Sequence, residues 1–141
     1  MEVIMALEKR SRQREALLAD LASRTDHPTA DELYFSLREE FPNISLGTVY
    51  RNLAQLSENN TILKLTCGGA DHFDYNTQPH YHLLCSECNR LYDLNMSVLD
   101  ELDNEAQKYY NGKINDHRLI FYGICENCFI HNKHFNGGNV K

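Results

Sequence analysis

Residues 45–60 read SLGTVYRNLAQLSENN. Ser45 is a helix N-cap residue, because its hydroxyl can accept a backbone N–H from the first turn. Leu46, Val49, Leu53 and Leu56 follow at spacings of three and four, which makes one apolar stripe. The opposite face carries Thr48, Arg51, Asn52 and Gln55, and Arg, Asn and Gln can bond base edges in a major groove. Upstream, residues 27–43 read HPTADELYFSLREEFPN. Thr29 followed by Glu32 is a capping box; Leu33, Leu37 and Phe41 share one face, and Pro42 is expected to stop this helix. Further upstream, SRQREALLADLASR from Ser11 places Ala16, Leu17, Leu18, Leu21 and Ala22 on a third amphipathic helix. Downstream, ILKLT and FDYN flank CGGAD, and Gly68-Gly69 marks a hairpin turn. Three helices and a hairpin in this order predict a winged helix-turn-helix whose third helix enters the major groove. The alternative is a small helical bundle with a polar outer face. The residue types on that face favour the reader of DNA.

The charge does not advertise a DNA partner. The 141 residues carry a net charge of −6. Residues 1–66 hold 8 Lys and Arg against 10 Asp and Glu, and the rest hold 6 against 10. However, Lys9, Arg10, Arg12 and Arg14 cluster on the first helix, and phosphate contact depends on local placement rather than on the total. The candidate DNA contacts are Thr48, Tyr50, Arg51, Asn52 and Gln55 on the third helix, with Arg12 and Arg14 on the first. The balance predicts weak non-specific binding and an affinity that depends on dimerisation or a ligand. The opening MEVIMALEKRSRQRE turns charged too early for a signal peptide, and no apolar run is long enough to span a membrane. The expected setting is therefore the cytoplasm.

The character changes after residue 76. HYHLLC and RLYDL read as short strands. SVLDELDNEAQKYY reads as a helix with Val98, Leu99, Leu102, Ala106 and Tyr109 on one side, and RLIFYGIC reads as an apolar strand. The expectation is an α+β chain: a winged-helix domain over 1–76, a hinge over 77–79, and a small α/β dimerisation and metal-binding domain over 80–141. Apolar sheet edges such as LIFY fit a dimer surface.

Five cysteines in a reducing compartment argue against a disulfide frame. Cys85 and Cys88 form one C-x-x-C pair, and Cys125 and Cys128 form another. Two such pairs are the signature of a tetrahedral four-cysteine zinc site. A thioredoxin-like redox pair fits less well, since neither motif sits in a βαβ unit. Cys67 has no sequence partner and falls in the hairpin turn. His80 and His82 are two apart, so on a strand they face together, while Cys85 faces away. HYHLLCSEC therefore splits between two sites. The histidines call for nitrogen and oxygen co-ligands, and Asp93, Asp74 and His27 are the candidates. Such a set suits Fe(II), Mn(II) or Zn(II). An open site of His80, His82 and an Asp in a metal-dependent hydrolase is a competing reading. His72 and His117 carry no assigned ligand role, and His117 reads as a plain strand histidine. His131 and His134 fall in a tail read as solvated.

HPTADELY, TVYRNL, FDY, HYHLLCSEC, RLIFYGIC and the final C-x-x-C together resemble the ferric uptake regulator family, in the family's order, from about Ser11 to Cys128. The resemblance implies a homodimeric, metal-dependent repressor of palindromic operator DNA, with no enzymatic activity. Among its members the likeness is to the peroxide-sensing repressors. Their regulatory metal takes three histidines and two aspartates, which match His27, Asp74, His80, His82 and Asp93 here. Iron-responsive members usually carry Glu at the position of Asp93. Pro79 and Tyr81 stand where ligands of the family's auxiliary metal site are expected, and TVYRNL is closer to iron-responsive members. The implied signal is hydrogen peroxide, through iron-catalysed oxidation of His27 or His80. A repressor responding to iron, manganese or zinc supply is the alternative within the family.

Overall fold

The computed structural model describes residues 2–132. They form two compact units, one ending at Thr77 and the other beginning at Gln78. Among the described residues, no helix is long and apolar enough to cross a membrane.

The first unit contains α1 (Glu2–Ala22), α2 (Ala30–Leu37), α3 (Leu46–Glu58), β1 (Leu63–Cys67) and β2 (Ala70–Asp74). Helix α1 starts nine residues before the Ser11 expected from the sequence. Its early turns lack Gly and Pro and are rich in good helix formers, but nothing there is buried. Gln13, Leu17 and Leu21 are buried, one turn apart, and Ala16 and Leu18 pack beside them, so the hydrophobic stripe marks only the packed half. The Thr29–Glu32 capping box forms in both directions at the start of α2. That helix ends at Leu37, before the Pro42 read as its stop. A turn follows in which the Phe41 N–H bonds the Leu37 carbonyl at 2.9 Å, which returns Phe41 to the core. Ser45 caps α3 through the Thr48 N–H. Leu33, Val49, Leu53, Leu56, Ile62 and Phe73 are among the residues that close the core, whereas Leu46 lies exposed at the helix start.

The hairpin pairs Leu63 with Asp74 and Cys67 with Ala70. Gly68 and Gly69 both have positive φ, at 62° and 78°, as a two-residue hairpin turn of matching twist requires. Cys67 is therefore the buried last residue of β1 and not a turn residue. Burial pushes its thiol up from the ordinary value.

The second unit contains β3 (Tyr81–Cys85), β4 (Leu91–Leu94), α4 (Asp100–Gln107), β5 (Ile120–Gly123) and α5 (Glu126–Asn132). The sheet order is β4-β3-β5, with β3 antiparallel to β4 and parallel to β5. As the central strand, β3 is buried on both faces, which is why HYHLLC lacks a clean alternation of burial. Helix α4 buries none of its residues within the chain: Leu99, Leu102 and Tyr109 are exposed. Phe121 and Tyr122 on the edge strand β5 are exposed as well. Helix α5 continues to Asn132, so the segment around His131, expected from the sequence to be a solvated tail, is helical. His131 stands in its last turn, and His134 lies outside the described residues.

Candidate functional site

Helices α1 and α3 line a cleft of about 670 Å³ with Lys9, Arg10 and Arg14 on one side and Thr48, Arg51, Asn52 and Gln55 on the other. Arg14 donates to the Gln55 side-chain carbonyl at 2.5 Å and to that of Asn52 at 3.3 Å. Arg51 donates to the Thr48 hydroxyl at 3.1 Å. The candidate readers thus share one face with cations, in a chain that is acidic overall. Two expected contacts lie apart from this cleft. Arg12 is exposed on α1 but does not line it, and Tyr50 lines a separate hollow beside the hairpin with Thr66 and Gly69.

In the second unit the four cysteine sulfurs lie within 4.8 Å of one another. Cys85 is the last residue of β3, Cys125 follows β5, and Cys128 lies in the first turn of α5. Backbone N–H groups point at the sulfurs: those of Cys88 and Cys125 donate to Cys85 Sγ at 3.4 and 3.3 Å, and that of Cys128 to Cys125 Sγ at 3.4 Å. Burial pushes the Cys85 thiol up, but these N–H groups outweigh it and hold the thiol below its ordinary value. The Tyr92 hydroxyl, followed by the Cys128 N–H, lowers Cys125, while donation to Cys125 raises Cys128. Cys85 and Cys125 are buried, Cys128 is half-buried and Cys88 is exposed, and four sulfurs this close together could hold zinc.

In the first unit His27 precedes α2 and has φ of 50°, a left-handed conformation that costs a non-glycine residue on the order of 1–3 kcal/mol. Strand β2 holds it with three consecutive residues. His72 Nδ1 bonds the His27 carbonyl at 2.9 Å, the Phe73 N–H donates to the Pro28 carbonyl at 2.9 Å, and Asp74 Oδ2 lies 3.1 Å from His27 Nε2. All three β2 residues and His27 are buried.

In the second unit His82 pairs across the ladder with Asp93. His82 Nε2 and His80 Nε2 lie 3.3 and 3.2 Å from the same oxygen, Asp93 Oδ1. His80 Nδ1 donates to the Gln78 carbonyl at 2.6 Å, so Nε2 is the nitrogen turned toward the carboxylate. A lone pair facing a carboxylate at this distance is repulsive unless a proton or a metal ion lies between them. These nitrogen and oxygen donors fit a borderline or hard divalent ion, in contrast to the thiolates. Tyr92 and Asp93, neighbours on β4, serve opposite faces: Tyr92 Oη is 3.9 Å from Cys88 Sγ while Asp93 faces the imidazoles.

Two residues were not singled out by the sequence. His72 is one, and its signal was its place two residues before Asp74 on the same strand face. The other is His117, which precedes β5 and does not lie on it. The Leu99 N–H donates to Tyr81 Oη (2.9 Å), which donates to His117 Nε2 (2.6 Å), and His117 Nδ1 donates to Asp103 (2.7 Å). This polar chain pins α4 to β3 at the residue between His80 and His82.

The sequence model of the ferric uptake regulator family matches residues 7–122. The chain is 39% identical over 117 residues to the peroxide-responsive repressor PerR of Staphylococcus epidermidis, covering 82% of this chain and 78% of that protein. Among solved structures, the Campylobacter jejuni peroxide stress regulator superposes with a TM-score of 0.72 at 30% identity, covering 91% of this chain and all of that one. The Helicobacter pylori ferric uptake regulator Fur, described as having three functional metal-binding sites, gives 0.73 at 25% identity, covering 91% of this chain and 89% of that one. Winged-helix order, a cysteine cluster, two His/Asp half-sets and a family match over most of the length agree: this chain belongs to the ferric uptake regulator family of metal-responsive transcriptional regulators.

Proposed function

We propose that this chain is a cytoplasmic, homodimeric repressor that leaves palindromic operator DNA when hydrogen peroxide oxidises one of its own histidines. Cys85, Cys88, Cys125 and Cys128 hold structural zinc. His27, Asp74, His80, His82 and Asp93 hold ferrous iron or manganese. The observation that carries the reading is the convergence of His80 and His82 on the Asp93 carboxylate, in a chain whose relatives include peroxide-responsive repressors.

His27 and Asp74 belong to the first unit, and His80, His82 and Asp93 to the second. Sharing one ion between the two half-sets fixes the angle between the units. In a two-fold dimer that angle sets the spacing of two α3 helices against two half-sites. Metal affinity and operator affinity are therefore coupled, and by the same factor in each direction. Arg51, Asn52 and Gln55 read the bases; Arg12, Arg14 and Thr48 supply backbone and supporting contacts, as does Tyr50 beside the hairpin. The edge strand β5 and the exposed Leu99, Leu102, Phe121 and Tyr122 meet a second copy.

Ferrous iron held by these residues would supply the redox chemistry that activates hydrogen peroxide; in the net reaction one peroxide oxygen is added at a ring C–H of an imidazole, which gives up two electrons, and the other oxygen leaves as water. His27 and His80 are the expected acceptors. The oxidised ring is a poorer donor, its half-set loses its grip, and the two units are released from each other. The cysteine cluster is kept out of this chemistry by having all four thiolates engaged by zinc.

The family is one of transcriptional regulators, which removes the hydrolase reading. A repressor that reports metal supply remains as a second reading, favoured by the likeness to the H. pylori regulator and by the TVYRNL text of α3. The test is operator binding by the iron-loaded and manganese-loaded protein before and after a low dose of peroxide. Loss of the iron form alone supports peroxide sensing. Retention of both forms, with binding tracking only the free metal concentration, supports the supply reading.

A further inference from the structure

We propose that His72 is a positioning residue for the regulatory metal. It acts through the backbone of His27 and is not itself a ligand; the inference rests on the ligand set proposed above. His27 sits in a left-handed conformation that an unconstrained histidine would leave. What faces its backbone is a buried ring: His72 lies on β2 opposite Leu65, with Nδ1 2.9 Å from the His27 carbonyl oxygen. A carbonyl only accepts, so Nδ1 carries the proton and His72 is held in one tautomer. Two positions along the same strand face, Asp74 meets the His27 ring itself at 3.1 Å. One face of β2 therefore grips His27 at both ends, the carbonyl through His72 and the imidazole through Asp74. The Phe73 N–H fixes Pro28 in between. Removing the His72 bond frees the turn to relax toward an ordinary backbone conformation, which swings the imidazole away from the place where the ion is bound. The cost appears as weaker metal binding, because the ligands must then be ordered by the ion itself.

The test uses the zinc-loaded full chain and Mn(II) alone as probe, titrated by electron paramagnetic resonance. The variants are His72→Leu, His72→Asn and His72→Gln. The Asn amide nitrogen takes the place of Nδ1, whereas the Gln amide reaches the place of Nε2. Supporting results are a 10- to 100-fold weaker Mn(II) affinity for His72→Leu, with zinc content and circular dichroism unchanged, and recovery of most of that affinity by His72→Asn but not by His72→Gln. Equal affinity in all four proteins overturns the proposal. Recovery by Gln alone also overturns it, since Nε2 would then be the working atom. If His72→Leu fails to fold, the Asn and Gln pair still decides between these outcomes. Failure of the unsubstituted protein to bind Mn(II) would instead count against the ligand set.

Discussion

At the scale of single residues, the chemistry turns on which atoms face each other. Asp93 places one oxygen against two imidazole nitrogens, which defines where charge must be supplied. Lengthening that carboxylate by one methylene moves the oxygen without removing the charge. Asp93→Glu is therefore expected to keep Mn(II)-dependent operator binding and to lose most of the peroxide response, read as residual DNA binding after an oxidant dose. Arg51 lines the α1–α3 cleft and donates to the Thr48 hydroxyl. Arg51→Ala is expected to cost about 1–3 kcal/mol in operator affinity, concentrated at one base position, by binding to operators altered one base at a time. The spacing in HYHLLCSEC predicts that its histidines and cysteines part company, and His80 and His82 do face Asp93 while Cys85 and Cys88 lie with Cys125 and Cys128. The bond from His72 to His27 was not legible in the sequence, because it joins residues 45 positions apart through a backbone carbonyl, which leaves no pattern of residue types.

At the scale of elements, local signals worked where they had local causes. The capping box, the Ser45 cap and the double-glycine turn each satisfy backbone groups within a few residues, so α2, α3 and the hairpin could be read from the chain. Thr29→Ala removes the hydroxyl that accepts from the Glu32 N–H, leaves the Thr29 backbone N–H to Glu32, and is expected to destabilise the first unit by about 1 kcal/mol in chemical denaturation. The errors arose where the cause was not local. The start of α1 has helix formers but no burial and hence no stripe. The apolar side of α4 reads as a packed face, but among the described residues none of the helix is buried. Helix α5 is short, and Cys128 in its first turn ties it to β3 through the sulfur cluster. Cys128→Ser is expected to lower zinc content below one ion per chain and to speed amide exchange across α5, measured by metal analysis and hydrogen exchange.

At the scale of the whole molecule, the proposed function would have a metal set the two units against each other. Each unit carries an incomplete ligand set: an imidazole and a carboxylate in the first, two imidazoles and a carboxylate in the second. Neither set alone supplies five ligands, so under the proposed function metal occupancy would depend on both units together. The acidic net charge fits this logic, because weak non-specific attraction leaves operator binding dependent on alignment. The claim at the centre of this account is that one of those imidazoles is consumed by the signal. The most direct measurement is a peptide-resolved mass spectrum of the Fe(II)-loaded protein before and after near-stoichiometric hydrogen peroxide, with the Mn(II)-loaded protein as control. The account predicts one added oxygen on the peptide containing His27 or on that containing His80 and His82, with iron only. Unchanged histidine peptides in a protein that stays on its operator, or oxidation confined to Cys85, Cys88, Cys125 and Cys128, would contradict it.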